Sequence, residues 1–165
     1  MQLTDIATPD EWRKLEKEVH ERFHLNASVY DISGTAITGT PQWCNALCPK
    51  IKANQDSLAV ICAAGNQHFM AQAQQSRKPV IGECDAGLVK IAVPIFNDGE
   101  FLGTAGGCGR LPEDGTVETF LLHKLMGLDE AEIEALCRDL EPMTGDQARQ
   151  AASFVEKRIA QYTKN

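Results

Sequence analysis

The strongest structural signal in this chain is the segment Leu88 to Cys108, which reads LVKIAVPIFNDGEFLGTAGGC. Its two apolar halves are separated by Asp98-Gly99. This pair is typical of a type I′ turn, because both central residues of that turn need positive φ. We therefore predict an antiparallel hairpin with strands at 88–96 and 101–108.

The turn also predicts a register for the hairpin. If Asn97 pairs with Glu100, an uninterrupted ladder pairs Val93 with Thr104. Side chains alternate along a strand, so every second residue shares a face. The face predicted to look towards the core carries Val89, Ile91, Val93, Ile95, Leu102, Thr104 and Cys108. Lys90 points away from this face in the same register, and we expect it to be solvated.

Outward from this hairpin, the pattern adds three further strands and several helices. Two of these strands form a hairpin near the N-terminus, and the third precedes Leu88 and is joined to it by the turn Asp85-Ala86-Gly87. Thr8 and Pro9 suit an N-cap and a first helical position, and Pro79 ends a helix before the next strand. The predicted elements in chain order are a helix near 9–24, a hairpin at 26–38, helices at 42–53 and 58–78, strands at 79–83, 88–96 and 101–108, and helices at 117–126, 129–140 and 145–162. This order predicts an α+β, PAS-like fold: a five-stranded antiparallel sheet with helices packed largely on one face.

The composition bounds the size of the protein and its partners. The chain has 165 residues, 43% of them hydrophobic, which suits one domain over 1–165 with a core at 9–110 and a C-terminal helical extension at 117–163. The formal net charge of -7 disfavours a phosphate-binding surface, so no direct nucleic-acid partner is predicted. No apolar run approaches the roughly 20 residues that cross a bilayer, and the N-terminus lacks the pattern of a signal peptide. We expect a cytoplasmic protein with no membrane partner and with reduced thiols.

Several motifs in the middle of the chain carry a family resemblance. They are Cys44, Cys62, the run Glu83-Cys84-Asp85-Ala86-Gly87-Leu88, Pro94-Ile95, Asp98-Gly99, Leu102-Gly103 and Gly106-Gly107. Together they resemble the PocR-type sensory domain, a PAS-related ligand-sensing module, over roughly residues 12–110. The resemblance implies binding of a small molecule and relay of that state to a transcription-factor, kinase or cyclase output. The chain departs from the pattern in two ways: we expect no output domain within its 165 residues, and it adds Cys48 and Cys108.

Five of the six cysteines form the second candidate site. Cys44 and Cys48 are four residues apart on a predicted helix and so share a face, while Cys84 and Cys108 are predicted at one end of the sheet. With Cys62 on the next helix, these thiols are candidate ligands for an iron-sulfur cluster or zinc, both of which favour four such ligands. Buried free cysteines also pack as small hydrophobic residues, so a purely structural role or a role in lining a pocket stays open. Cys137 is assigned to the core.

The ligand pocket is predicted between the core-facing side of the sheet and the two helices that carry Cys44 and Cys62. Its candidate ligand-binding residues are Trp43, His68, Glu83, Val89, Ile91 and Thr104. For Trp43, anchoring its own helix is an equal alternative, and for His68 an exposed position is the alternative. The sequence lacks H-E-x-x-H, G-x-S-x-G and a dinucleotide-binding fingerprint, so no catalytic residue and no enzyme activity are predicted.

The terminal helices suggest an interaction surface. The last helix carries an apolar stripe of Ala148, Ala152, Val155, Ile159 and Tyr162 on an otherwise charged helix. The stripe is predicted to pack either on a second copy of the chain, giving a homodimer, or on the domain's own core. The predicted partners are therefore a small-molecule ligand, a regulatory output protein or domain, and a second copy of the chain.

Overall fold

The computed structural model describes residues 1–39 and 41–164 and has an α+β fold, as predicted. The helices are α1 (Leu3–Ile6), α2 (Pro9–Phe23), α3 (Leu47–Ala53), α4 (Gln55–Ser57), α5 (Ala64–Ser76), α6 (Thr119–Met126), α7 (Glu130–Leu136) and α8 (Gly145–Tyr162), and a π-helical turn, Leu58–Ala63, joins α4 to α5. The strands are β1 (Asn26–Asp31), β2 (Val80–Glu83), β3 (Val89–Asn97), β4 (Glu100–Cys108), β5 (Leu111–Pro112) and β6 (Pro142–Met143). No helix among these described residues is long and apolar enough to span a bilayer.

The main sheet has four antiparallel strands in the order β1-β4-β3-β2. The prediction of five strands is wrong, because the segment expected to pair with β1 forms only one bridge, between Tyr30 and Ala36. The Asp31 carboxylate accepts hydrogen bonds from Ser33 N at 2.9 Å and from Thr35 N at 3.0 Å. These local bonds compete with a ladder and hold the chain in a turn. A separate two-stranded parallel sheet pairs β5 with β6.

A β-bulge in the β3-β4 hairpin changes the predicted register. Asn97 pairs with Glu100 as expected, but the register shifts between Ile95 and Phe96, so that Ile95 pairs with Gly103 and Leu102 is left over. One extra residue on a strand turns every following side chain to the other face. Gly103 accommodates this irregularity at φ +147°, a conformation that favours glycine.

The bulge corrects the predicted composition of the two faces. Cys108 now pairs with Lys90 and Thr104 with Pro94, so Thr104 and Cys108 lie on the face opposite Val93. Val89 and Ile91 share the face of Val93. The prediction that all these residues line one surface is wrong.

Helices cover both faces of the sheet, not largely one. The first face, which includes Val93 and Ile95, packs against α2 and α8 to form the main core. The opposite face packs against α5. A second, smaller core under α6 and α7 includes Leu88, and Cys137 packs against it.

The terminal helices serve the chain's own core. In α8, Ala148, Ala152, Val155 and Ile159 are all buried against the sheet and α2. The rings of Trp12 and Tyr162 meet edge to face, with centroids 5.1 Å apart. The apolar stripe therefore packs within one chain, which is the second of the two predicted alternatives, and the homodimer stays a prediction.

Candidate ligand-binding site

The site lies on the sheet face opposite α2 and α8. A cleft of about 430 Å³ is bordered there by residues of β1, by the segment that follows it, and by the π-helical turn. This outer cleft includes Ser28, Tyr30, Trp43, Leu58, Cys62, Ala63 and Asn66 among its lining residues. Its volume falls within the roughly 300–1,000 Å³ typical of small-molecule sites.

A smaller space, the inner cavity, lies deeper between the sheet and α3. It has a volume of about 30 Å³ and is lined by Asn26, Tyr30, Cys48, Ile51, Lys52, Ile61, Cys62, Asn66, Cys84, Leu88, Lys90, Cys108 and Gly109. Tyr30, Lys52, Cys62 and Asn66 line both spaces. The outer cleft and the inner cavity therefore share a wall.

The π-helical turn positions one side of the site. The predicted single helix over 58–78 is instead interrupted at its start by Leu58–Ala63, which contains Cys62. Asn54 caps the run, since its side chain accepts a hydrogen bond from Ser57 N. A π-helical turn within an α-helix is frequently found at functional sites, and here it borders the outer cleft.

Two buried asparagines fix the segment that carries Trp43 and Cys44. Asn26 Oδ1 accepts a hydrogen bond from Cys44 N at 2.7 Å. Asn45 Nδ2 donates to Gly109 O at 2.7 Å, and Asn45 Oδ1 accepts from Cys48 N at 2.7 Å. These bonds tie the segment to the ends of β1 and β4. Sequence reasoning missed both residues, although an asparagine three residues before Cys48, at the start of a helix, is a usual capping signal.

Four of the cysteines line one cavity, but the helix that was predicted to carry both Cys44 and Cys48 is shorter than expected. The helix predicted at 42–53 begins only at Leu47, so Cys44 precedes it and the assumed helical spacing from Cys44 to Cys48 is wrong. Asn45 Nδ2 nevertheless lies 3.6 Å from Cys44 Sγ and 3.3 Å from Cys48 Sγ. Cys48, Cys62, Cys84 and Cys108 all line the inner cavity.

Burial favours the protonated form of the thiols of Cys44, Cys48, Cys62 and Cys84. It raises the pKa of Cys44 and of Cys62 to about 11, and it also raises the pKa of Cys48 and Cys84. A thiol with so high a pKa is a poor nucleophile at neutral pH. Among residues 1–39 and 41–164, no group of three or more His, Cys, Asp or Glu side chains is arranged to hold a metal ion.

Two lysines reach the site from opposite sides. Lys52 Nζ lies 5.4 Å from the centre of the Trp43 ring. Lys90 Nζ donates to Asn66 Oδ1 at 2.5 Å and lies 5.7 Å from the centre of the Phe69 ring. Lys90 was expected to face solvent, but it is half-buried because α5 packs over its face of the sheet.

The structure separates the predicted ligand-binding residues into two groups. Trp43 lines the outer cleft, and Thr104 is buried on the same face, in a narrow space next to Phe69. The side chains of Val89 and Ile91 belong to the main core on the other face, which corrects their predicted position. 

The other two predicted residues also lie elsewhere. Glu83 sits on edge strand β2 opposite Val89 and is exposed. His68 is exposed on α5, where its ring stands 6.1 Å from that of Phe69. Neither is among the described residues that line the outer cleft or the inner cavity.

Fold and site together define an α+β domain with a cavity on one face of its sheet. The chain belongs to the PocR sensory domain family: the family model described as the sensory domain found in PocR matches residues 5–165. The match extends well beyond the segment 12–110 on which the motifs lie. No curated protein and no solved structure matches the chain.

Proposed function

We propose that this chain is a signal-transduction domain that senses a small molecule in the outer cleft. The carrying observation is the cleft of about 430 Å³, which combines the aromatic surfaces of Tyr30 and Trp43 with the polar groups of Ser28 and Asn66. Mostly apolar, concave sites with a few polar groups are the usual places where proteins bind small ligands. Membership of a sensory domain family supports the same function.

Three further features belong to this proposal. The domain acts without catalysis, in keeping with its family's description as sensory. It passes the ligand state to a regulatory output protein or domain, such as a transcription regulator, or to a second copy of itself through a surface other than the α8 stripe. Its sheet is related to that of PAS domains, supported by an antiparallel sheet with a cavity on one face.

Blocking the outer cleft is expected to abolish ligand binding. Ala63 lines the cleft and is exposed, so Ala63→Trp puts an indole into the space without disturbing the core. A screen of small alcohols and organic acids by thermal unfolding, with native mass spectrometry of the purified protein, identifies a compound that raises the melting temperature. We expect that compound to leave the melting temperature of Ala63→Trp unchanged.

The matched control is Ala64→Trp. Ala64 is the next residue, is also exposed, and is not among the residues that line the cleft. This variant is expected to respond to the compound as the wild type does. An unchanged response in Ala63→Trp would place the binding site elsewhere and contradict the proposal.

The second candidate function is a cysteine-ligated iron-sulfur or zinc redox sensor. The observation in its favour is that four cysteines line one small cavity: Cys48, Cys62, Cys84 and Cys108. Four thiolates are the ligand set that both centres favour, although these side chains would have to rearrange and lose their protons to form one.

Metal content of the anaerobically purified protein tests this candidate. If it is correct, elemental analysis gives stoichiometric iron or zinc, with a brown colour and visible absorption in the case of iron. We expect Cys62→Ala to remove the metal and Cys137→Ala, outside the cavity, to retain it. Colourless protein without bound metal, after reconstitution as well, would contradict the candidate.

A further inference from the structure

The inner cavity concentrates positive charge in an acidic protein. The chain has a net charge of -7, yet Lys52 and Lys90 both line this cavity and none of its described lining residues is Asp or Glu. The outer cleft has one carboxylate among its described lining residues, that of Glu16. Its oxygens already accept hydrogen bonds from Val29 N at 3.0 Å and from Thr38 Oγ1 at 2.6 Å.

Neither lysine has an anionic partner among residues 1–39 and 41–164. Lys52 lies over the ring of Trp43, and Lys90 donates to the neutral amide of Asn66. The surrounding thiols of Cys48 and Cys62 have pKa values raised by burial, so they do not supply negative charge at neutral pH. Half-buried ammonium groups without a counterion are costly and favour the uptake of an anion.

Asn26 adds an unused hydrogen-bond donor to the same cavity. Asn26 is only 7% exposed, and its Nδ2 atom has no hydrogen-bond partner among the described residues. Asn26 Oδ1 accepts from Cys44 N at 2.7 Å, which fixes the orientation of the amide. Asn26 lines the inner cavity together with Lys52 and Lys90. A buried donor left without an acceptor is destabilising, and a bound acceptor would remove that cost.

We propose that the inner cavity binds the carboxylate group of a small organic anion, with Lys52, Lys90 and Asn26 as its donors. The inference rests on the proposed sensing function and specifies the ligand class. The remainder of the ligand occupies the outer cleft, which shares Tyr30 and Asn66 with the inner cavity.

The size of the inner cavity favours a carboxylate over larger anions. A water molecule needs roughly 10–15 Å³ of such space, so a cavity of about 30 Å³ holds two water-sized groups. Two oxygens match a carboxylate, whereas phosphate and sulfate bring more. A metal-thiolate centre would also be negative, but the cysteines are not arranged as metal ligands among the described residues.

Matched pairs of small molecules test the proposal on the chain of 165 residues. Acetate, propionate and lactate are compared with acetamide, propionamide and lactamide by calorimetric titration and thermal unfolding, with chelator-treated protein and with phosphate as a further anion. Each pair keeps the shape and changes the charge. We expect at least one carboxylate to bind and its amide to bind about tenfold to a hundredfold more weakly, as loss of a charge-assisted hydrogen bond implies.

The lysine variants locate the effect. Lys52→Met and Lys90→Met keep the length of the side chain and remove its charge, and each is expected to weaken carboxylate binding by about tenfold or more. Lys50→Met is the matched control, because Lys50 lies on the same helix as Lys52, is exposed and does not line the cavity. Circular dichroism confirms that each variant is folded.

The outcomes separate this inference from the proposed function. If amides bind as well as carboxylates, or if both lysine variants bind carboxylates normally, the charge assignment is wrong and small-molecule sensing stands. The assignment is equally wrong if phosphate binds more tightly than every carboxylate, or if binding occurs only with a metal present. If no compound of either class binds at millimolar concentration and the Ala63→Trp screen is also negative, both proposals are contradicted.

Discussion

Gly106→Ala is expected to destabilise the domain by about 3–5 kcal/mol, the range of severe overpacking in a folded interior. A Cβ atom at this position would lie 2.0 Å from the carbonyl oxygen of Ile91 and 2.8 Å from its carbonyl carbon. The obstacle is backbone on the neighbouring strand, so no side-chain rotation relieves it. Accommodation requires β3 and β4 to separate, which breaks the central ladder of the sheet. Equilibrium unfolding in urea measures the loss.

Gly65→Ala is the control for this substitution. Gly65 lies in α5, and an added Cβ meets no atom within 4 Å. Alanine is favoured over glycine in a helix by about 1 kcal/mol, so this variant is expected to gain a little stability. Wild-type stability in Gly106→Ala would contradict the close approach of β3 to β4 at this point.

Asn45→Ala is expected to cost about 3 kcal/mol and to remove the response to ligand, since several buried hydrogen bonds worth about 1–3 kcal/mol each lose a partner. Asn45 is only 5% exposed, and the substitution leaves Gly109 O and Cys48 N without their partners. The segment that carries Trp43 then loses its attachment to the end of β4. Urea unfolding gives the stability, and the compound found in the screen reports on the site.

Two further variants separate capping from the fixing of the site. Asn54→Ala removes an N-cap hydrogen bond to Ser57 N and is expected to cost only about 1 kcal/mol, with ligand binding retained. Asn45→Asp keeps an acceptor for Cys48 N but loses the donor to Gly109 O, and is expected to be nearly as damaging as Asn45→Ala. Equal stability and equal ligand response in the Asn45 and Asn54 variants would show that Asn45 has no special role in the site.

The local signals in the sequence predicted the elements better than they predicted how those elements pack. The Asp98-Gly99 turn was correct because φ is positive at both residues, +49° and +84°. The register was wrong because the bulge inserts only one residue, and both faces of β3 are largely apolar, so the pattern gave no sign of the slip. Helices on both faces were missed because an antiparallel sheet usually leaves one face to solvent.

The composition of the site was predictable in part. Clustering of cysteines indicated a shared location, and four of them do line one cavity. Lys90 was assigned to solvent, because a lysine in a strand is normally placed on an exposed face, and only the position of α5 reverses that assignment. Asn26 and Asn45 were missed because their roles depend on carbonyl and amide groups that are distant in the sequence.

The alternation of side chains in β4 also has a mechanical consequence. Thr104 lies on the side of the proposed ligand site, while the next residue, Ala105, packs in the core with α2 and α8. A single peptide unit separates the two environments, and α8 rests directly on β3 and β4. Any movement of β4 that makes room for a ligand therefore also moves the surface on which α8 packs. If the proposed ligand displaces β4, the last helix would therefore respond to it from the other side of the sheet.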